Sequence, residues 1–382
     1  MAATSMPTVE RRWTARQPGK AIWTVCALLA MGVKVPFWLA YYIPKSLRPH
    51  PTWTYRQAVC TRILRAALTF ASMTQARTPL NLEPGAEKER FAVFAPSTKD
   101  VYRGVAAPDE EVRPVDIGGT WYPSPYQTGD EHTIILHFHG GAFTLGDSRL
   151  PDSIAAANEL VKHAGPAKVF MSAYRLSSNP GGRFPAALQD AVTTYQALLD
   201  QGISPQRIVV SGDSAGGNLA AALMRYFSDH QELFPSQPAA AALLWSPWTD
   251  LVPVHDDLEP IKDNRHYQTD FIPPSFPVWG SKTYAAGPAD VRSPYISPRD
   301  HGFPTSIPIW VQVGALEVLY DDGITFAENL KNVPGNDVEV HVEPYANHDI
   351  LMTAVYTGFN AELTGSIKAA RRFIDGQRKG GS

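Results

Sequence analysis

Short β-rich apolar runs recur along the chain at 133–138, 167–173, 207–211, 240–245, 308–313 and 338–342, with helix-like segments between most of them. From about residue 90 onward this alternation predicts an α/β fold, a mostly parallel sheet covered by helices on both faces. Several of the runs are continuously apolar, as strands buried on both faces must be, whereas 338–342 alternates as a half-exposed edge strand does. Between 246 and 307 the rhythm breaks into a stretch rich in proline and in aromatic residues, among them Trp248, Phe271, Phe276, Trp279 and Tyr284. A segment this long is seldom structureless. It reads as a helical excursion above the carboxyl edge of the sheet, where open α/β folds bind ligands, or as a purely structural flap.

The N-terminal part follows a different pattern. Residues 1–20 are polar and basic, with Arg11, Arg12, Arg16 and Lys20, and 21–33 is an uncharged, mostly apolar run. Extended to Ile43, with Lys34 and Pro36 inside it, the run is long enough to cross about 30 Å of hydrocarbon. Charge and proline near its middle favour a helix packed on the protein or lying at a membrane surface over a transmembrane anchor or a cleaved signal. Residues 21–43 thus leave a cytoplasmic or a membrane-associated location open. Thr54 and Gln57 have capping-box spacing and open an amphipathic helix, with Val59, Ile63, Leu64, Ala67 and Leu68 on one face and Arg56, Arg62 and Arg65 toward the polar side. The chain therefore divides into a helical segment over 1–80 and an α/β domain over 81–382.

Composition narrows the function. The formal net charge of −3 over 382 residues supplies no basic field for nucleic acid. Two cysteines, Cys26 and Cys60, cannot build a disulfide framework, and no Asn-x-Ser/Thr acceptor occurs. His137 and His139 stand two apart at a strand end but have no neighbouring third ligand in sequence, so no metal is expected.

The most specific chemical signal is Gly212-Asp213-Ser214-Ala215-Gly216, set between an apolar run and the helix-favouring 218–224. It fits a nucleophile elbow, in which small flanking residues allow the sharp turn that exposes a serine hydroxyl above a helix N-terminus. Ser214 is then a nucleophile in need of a base, an orienting acid and oxyanion donors. His348, in the break after the last strand, fits the base, whereas His341 falls within a strand pattern. Glu317, Asp321 and Asp322 all lie after run 308–313 and compete for the acid, the two aspartates being equally suited to cap the next helix. After run 133–138, His139-Gly140-Gly141-Ala142 offers side-chain-poor backbone. Gly140, Gly141 and Ala142, with Ala215, are the candidate oxyanion donors.

Together these residues resemble the hormone-sensitive-lipase-like branch of the α/β-hydrolases, from about residue 115 to the C-terminus. His139-Gly140-Gly141 matches the HGG signature, Gly212–Gly216 the GDSAG elbow, and Tyr174-Arg175-Leu176 with Phe184-Pro185-Ala186-Ala187 and Asp190 the YRL…FPAAxxD segment. Two positions depart: Ala142 replaces the usual third glycine, and Glu317-Val318-Leu319-Tyr320-Asp321 replaces Asp-Pro-Leu-x-Asp, which places the acid at Glu317. The resemblance implies an α/β-hydrolase fold and a cofactor-free serine esterase acting on a small-molecule ester. It further implies a cap made from residues 21–76 and about 248–290. An acyltransferase or lactone-processing enzyme would use the same site, and a noncatalytic small-molecule receptor would lack part of the triad.

Overall fold

The computed structural model describes residues 11–165 and 167–380. The eight-stranded sheet runs in the order β1-β2-β4-β3-β5-β6-β7-β8. Its strands are β1 (Phe91–Phe94), β2 (Ile117–Tyr122), β3 (Thr133–Phe138), β4 (Ala167–Ala173), β5 (Ile208–Asp213), β6 (Ala241–Trp245), β7 (Ile309–Gly314) and β8 (Val338–Glu343). From β4 to β8 all neighbours are parallel, while β1–β2 and β2–β4 are antiparallel. Side chains alternate between two cores with the two-residue strand period: Ile134, Leu136 and Phe138 enter one, Ile135 the other. The first core is closed by α4 (Ala186–Asp200), α5 (Ser214–Asp229) and α8 (Tyr320–Lys331). The second is closed by α3 (Pro151–His163), α9 (Ile350–Thr357) and α10 (Asn360–Gly380).

Strands β1 and β2 are absent from the hydrophobic pattern that marks the others. The first has four residues, and the second carries Gly118-Gly119 where β-forming side chains are expected. Packing explains those glycines: a Cβ at 118 would sit 2.4 Å from the Phe91 ring and one at 119 only 2.2 Å from the Phe170 ring. On the far edge, Val340 and Val342 of β8 face solvent, while His341 stacks on Trp310 and bonds Ser366.

Helices α1 (Gly19–Tyr41) and α2 (Tyr55–Met73) precede the sheet; residues 1–10, which begin the predicted basic leader, lie outside the described residues. The capping box at α2 is formed, Thr54 accepting from Gln57 N–H and Gln57 accepting from Thr54 N–H. The expected two-faced division of α2 is not what packs. Ala67 is exposed, whereas Arg65 turns inward, donating to the carbonyls of Tyr267 and Asp270 with its guanidinium 4.2 Å over the Tyr267 ring. The cause is that α1, α9 and α7 (Ser275–Tyr284) all pack on α2, so it has little free surface to keep polar. A buried Ser72–Ser275 hydroxyl contact of 2.6 Å joins α2 to α7. The excursion between β6 and β7 contains α7 and the short α6 (Glu259–Lys262).

Candidate active site

The turn from β5 into α5 sets Ser214 at φ +49°, a left-handed conformation that costs a non-glycine residue about 1–2 kcal/mol. Two small neighbours make it feasible. A Cβ at Gly216 would lie 1.9 Å from the Phe138 carbonyl oxygen, and one at Gly212 would lie 2.1 Å from that of Gly216. The Ser214 carbonyl is held in turn by Trp248 N–H at 2.9 Å.

His348 arrives from the loop after β8, which is fastened by Asn347 Nδ2 to Thr61 of α2 and by Asp349 N–H to Ser246 Oγ. Ser214 Oγ lies 2.9 Å from His348 Nε2, and His348 Nδ1 lies 2.9 Å from Glu317 Oε2. In the neutral imidazole this geometry has the hydroxyl donating to Nε2 and Nδ1–H donating to the carboxylate. Glu317, fully buried, also accepts from Gly314 N–H on Oε1 and from the Ser246 hydroxyl. Burial pushes the Glu317 carboxyl up, but these donors favour its charged form, and so does His348. Burial alone would lower His348; the hydrogen bond and charge of Glu317 outweigh it and raise the imidazole to about 9. The proton therefore belongs on the imidazole and the negative charge on the glutamate. The rival carboxylates are turned elsewhere: Asp321 pairs with Arg265 at 2.7 Å on the surface, and Asp322 meets Arg299 at 3.2 Å.

Gly140, Gly141 and Ala142 line the cavity beside Ser214, and Ala215 lies in the first turn of α5. Gly140 sits against Asp213, whose Oδ2 would be 2.2 Å from a Cβ at residue 140. The amides of Gly140, Gly141, Ala142 and Ala215 are the candidate donors. Ala142 sits at φ +52°, and its carbonyl oxygen and methyl press on the bare α-carbon of Gly280 in α7. Beneath the strip, Tyr174 Oη donates to the His139 carbonyl at 2.7 Å and Arg175 clamps Asp190 at 2.7 Å. This places the Tyr-Arg-Leu and Phe-Pro-Ala-Ala segments as scaffolding beneath the glycine strip.

Two further carboxyls escaped the sequence reading. Asp213 immediately precedes the serine and Asp349 immediately follows the histidine, and in the fold their buried carboxyls hydrogen-bond each other. Burial pushes Asp213 up to about 7, and burial together with the Asp213 charge pushes Asp349 well above the carboxylate range. Asp349 thus holds the proton shared by the pair, while its other oxygen caps α9 by accepting from Met352 N–H at 3.3 Å. Asp213 Oδ1 is met by His137 Nε2 at 2.9 Å. Burial pushes His137 down to about 3, so it is neutral. Its Nε2–H then donates to Asp213, and its Nδ1 accepts from Ser211 at 2.9 Å. His139 turns the other way, Nδ1–H donating to the Gly140 carbonyl, and stacks on Tyr174. Among the described residues no group of three or more His, Cys, Asp or Glu side chains is arranged to hold a metal ion.

Above Ser214 opens a cavity of about 310 Å³. Leu64 and Leu68 of α2, Phe271, Ile272 and Phe276 of the excursion, and Leu319 make its walls largely apolar.

Comparison with known proteins agrees with this architecture. A family model described as the alpha/beta hydrolase fold matches residues 135–352, more than half of the chain. An esterase of Acinetobacter venetianus is 32% identical over 251 residues, covering 62% of this chain and 73% of that protein. An acetyl-hydrolase of Streptomyces hygroscopicus is 35% identical over 190 residues, covering 49% of this chain but only 58% of the relative's length. The crystal structure of EstE5, soaked with p-nitrophenyl butyrate, superposes with a TM-score of 0.58 at 25% identity, over 86% of this chain and 99% of that one.

Proposed function

This chain belongs to the α/β-hydrolase family, in its hormone-sensitive-lipase-like esterase branch, and from that premise we propose that it hydrolyses a small to medium apolar carboxylic ester through Ser214, His348 and Glu317. The observation that carries the reading is the unbroken hydrogen-bond line from Ser214 Oγ through the imidazole to Glu317, opening into an apolar cavity. Ser214 Oγ attacks the acyl carbonyl carbon while His348 Nε2 takes its proton. The carbonyl oxygen becomes an oxyanion facing amides of the set Gly140, Gly141, Ala142 and Ala215, with α5 adding its positive end. When the tetrahedral adduct collapses, the bond to the alcohol oxygen breaks and the imidazolium returns the proton to that oxygen. Water, deprotonated by the same imidazole, then attacks the acyl-serine, releases the acid and restores the hydroxyl. Glu317 holds Nδ1–H throughout and balances the imidazolium charge.

The cavity volume lies at the small end of the range for small-molecule pockets, which fits a short acyl chain or a compact ester. In this reading residues 21–76 and about 248–290 form the cap of a hydrolase domain spanning 81–382, and the apolar residues 21–43 associate with a membrane. Replacing Ser214→Ala is expected to leave a folded protein with no measurable turnover of a p-nitrophenyl ester and no labelling by a fluorophosphonate. Turnover by that variant at the wild-type rate would remove Ser214 from the mechanism.

A further inference from the structure

Helix α1 lies along the protein instead of projecting from it. At its N-terminal end Arg12 and Thr14 bond Met73, at the far end of α2; at its C-terminal end Tyr55 Oη donates to the Leu39 carbonyl and Arg62 donates to Tyr42 Oη. The two helices therefore run antiparallel, with a half-buried stripe of Trp23, Ala27, Met31, Val35 and Trp38 toward the protein. The opposite stripe, Ile22, Val25, Leu29, Val33 and Phe37, repeats at helical spacing and is 50–72% exposed. No charge falls on it, for Lys34 lies on the α2 side of the helical wheel. Water is a poor partner for so many exposed apolar side chains in one row.

A second feature stands at the N-terminal end of the same helix. A cleft of about 780 Å³ is lined by Arg11, Arg16, Lys20 and Arg77, and among the described residues none of these four forms an ion pair. Glu111, the acid that also lines it, is bound to Arg183 at 2.9 Å. Arg77 is made less basic first by burial and then by the like charge of Arg11, so the cations stand close without a counter-charge. Taking the membrane reading of residues 21–43 as premise, we propose that this face is a docking surface for an anionic lipid bilayer. Helix α1 lies in the plane of the interface, its outward stripe enters the acyl region, and the cleft takes a lipid phosphate between Arg11, Arg16, Lys20 and Arg77. A second copy of the chain would cover the apolar row but would bring no matching negative charge, since its own cleft carries the same cations.

Full-length protein is mixed with sealed vesicles of phosphatidylcholine alone or with added phosphatidylserine, and binding is measured by co-sedimentation while hydrolysis of a soluble short-chain ester is followed in parallel. Wild type is expected to bind both, the anionic vesicles more tightly and with a steep salt dependence. Reversing three cations (Arg11→Glu, Arg16→Glu, Lys20→Glu) is expected to lower affinity for the anionic vesicles about 100-fold, leaving ester hydrolysis and binding to neutral vesicles in place. Leu29→Asp with Val33→Asp is expected to abolish both kinds of binding. A protease site placed ahead of Met1 should remain cleavable from outside the vesicles. Failure to bind any vesicle, or dimerisation through the apolar row, overturns the membrane premise itself. Equal binding to both vesicle types overturns the phosphate cleft alone, and protection of the N-terminal site overturns the in-plane orientation.

Discussion

Replacing Glu317→Gln keeps the shape of the side chain and removes the charge that lifts His348. With that charge present the imidazole titrates at about 9 instead of its ordinary 6.5, a difference of about 3 kcal/mol in favour of the imidazolium. A general base must be neutral, so kcat/KM of the wild type is expected to climb about tenfold per pH unit from 7 and level off above 9. At pH 7 roughly one molecule in a hundred then carries the free base. In the glutamine variant burial dominates, and the midpoint is expected to fall by two units or more. The limiting rate at high pH is expected to drop by about 10³–10⁴, because the tautomer is no longer fixed and the imidazolium no longer balanced. The deficit is therefore small near pH 6 and largest above pH 9. Initial rates on a p-nitrophenyl ester across that range measure both quantities, with Asp321→Asn as a control that should leave the profile unmoved. Stability runs opposite to activity. A raised folded-state value stabilises fully below the unfolded value of 6.5 and loses that contribution as pH rises through about 9, so the wild-type melting temperature should fall in the window where activity appears. A wild-type midpoint near 6.5 that does not respond to Glu317→Gln would refute the assignment of the charge to this carboxylate.

The buried carboxyl pair makes a contrasting pair of variants. Asp349→Asn can donate to Asp213 and still accept from Met352 N–H, so it is expected to retain activity within a few-fold. It should also gain stability above about pH 4, where the unfolded chain releases a proton that the native pair keeps, the gain growing with pH until the native pair itself ionises. Asp349→Ala removes the cap of α9 and leaves Asp213 buried without its partner, an expected loss of about 2–4 kcal/mol by denaturant titration. Gly280→Ala brings a methyl to 2.5 Å from the Ala142 carbonyl, so the loop or α7 must move. The expected outcome is a fall in kcat of about tenfold or more with a destabilisation of about 1–3 kcal/mol, read by steady-state kinetics and thermal unfolding.

The central strands were legible because burial on both faces keeps them mostly apolar. The antiparallel edge was not, since Gly118 and Gly119 are selected by rings that approach them from Phe91 and Phe170, and that proximity has no local signature. Ser214 announced itself through its flanking glycines. Glu317 could not be separated from Asp321 and Asp322 on spacing alone; what separates them is tertiary, the surface arginines Arg265 and Arg299 that engage the aspartates. Gly140, Gly141 and Ala142 were legible as donor candidates because side-chain-poor backbone directly follows a strand. Asp213 and Asp349 are far apart in the chain, and nothing in either neighbourhood indicates that the two share a proton.

The contact between Ala142 and Gly280 ties the backbone strip proposed to cradle a developing charge to a helix outside the sheet, and α7 is itself seated on α2 through Ser72 and Ser275. Warming that loosens the outer helices would blur the alignment of the strip while the sheet stays intact. Turnover should then reach its temperature optimum and decline several degrees before the cooperative loss of tertiary structure. A campaign to make the enzyme more heat-tolerant would gain more from the seam between these two helices than from the already dense interior.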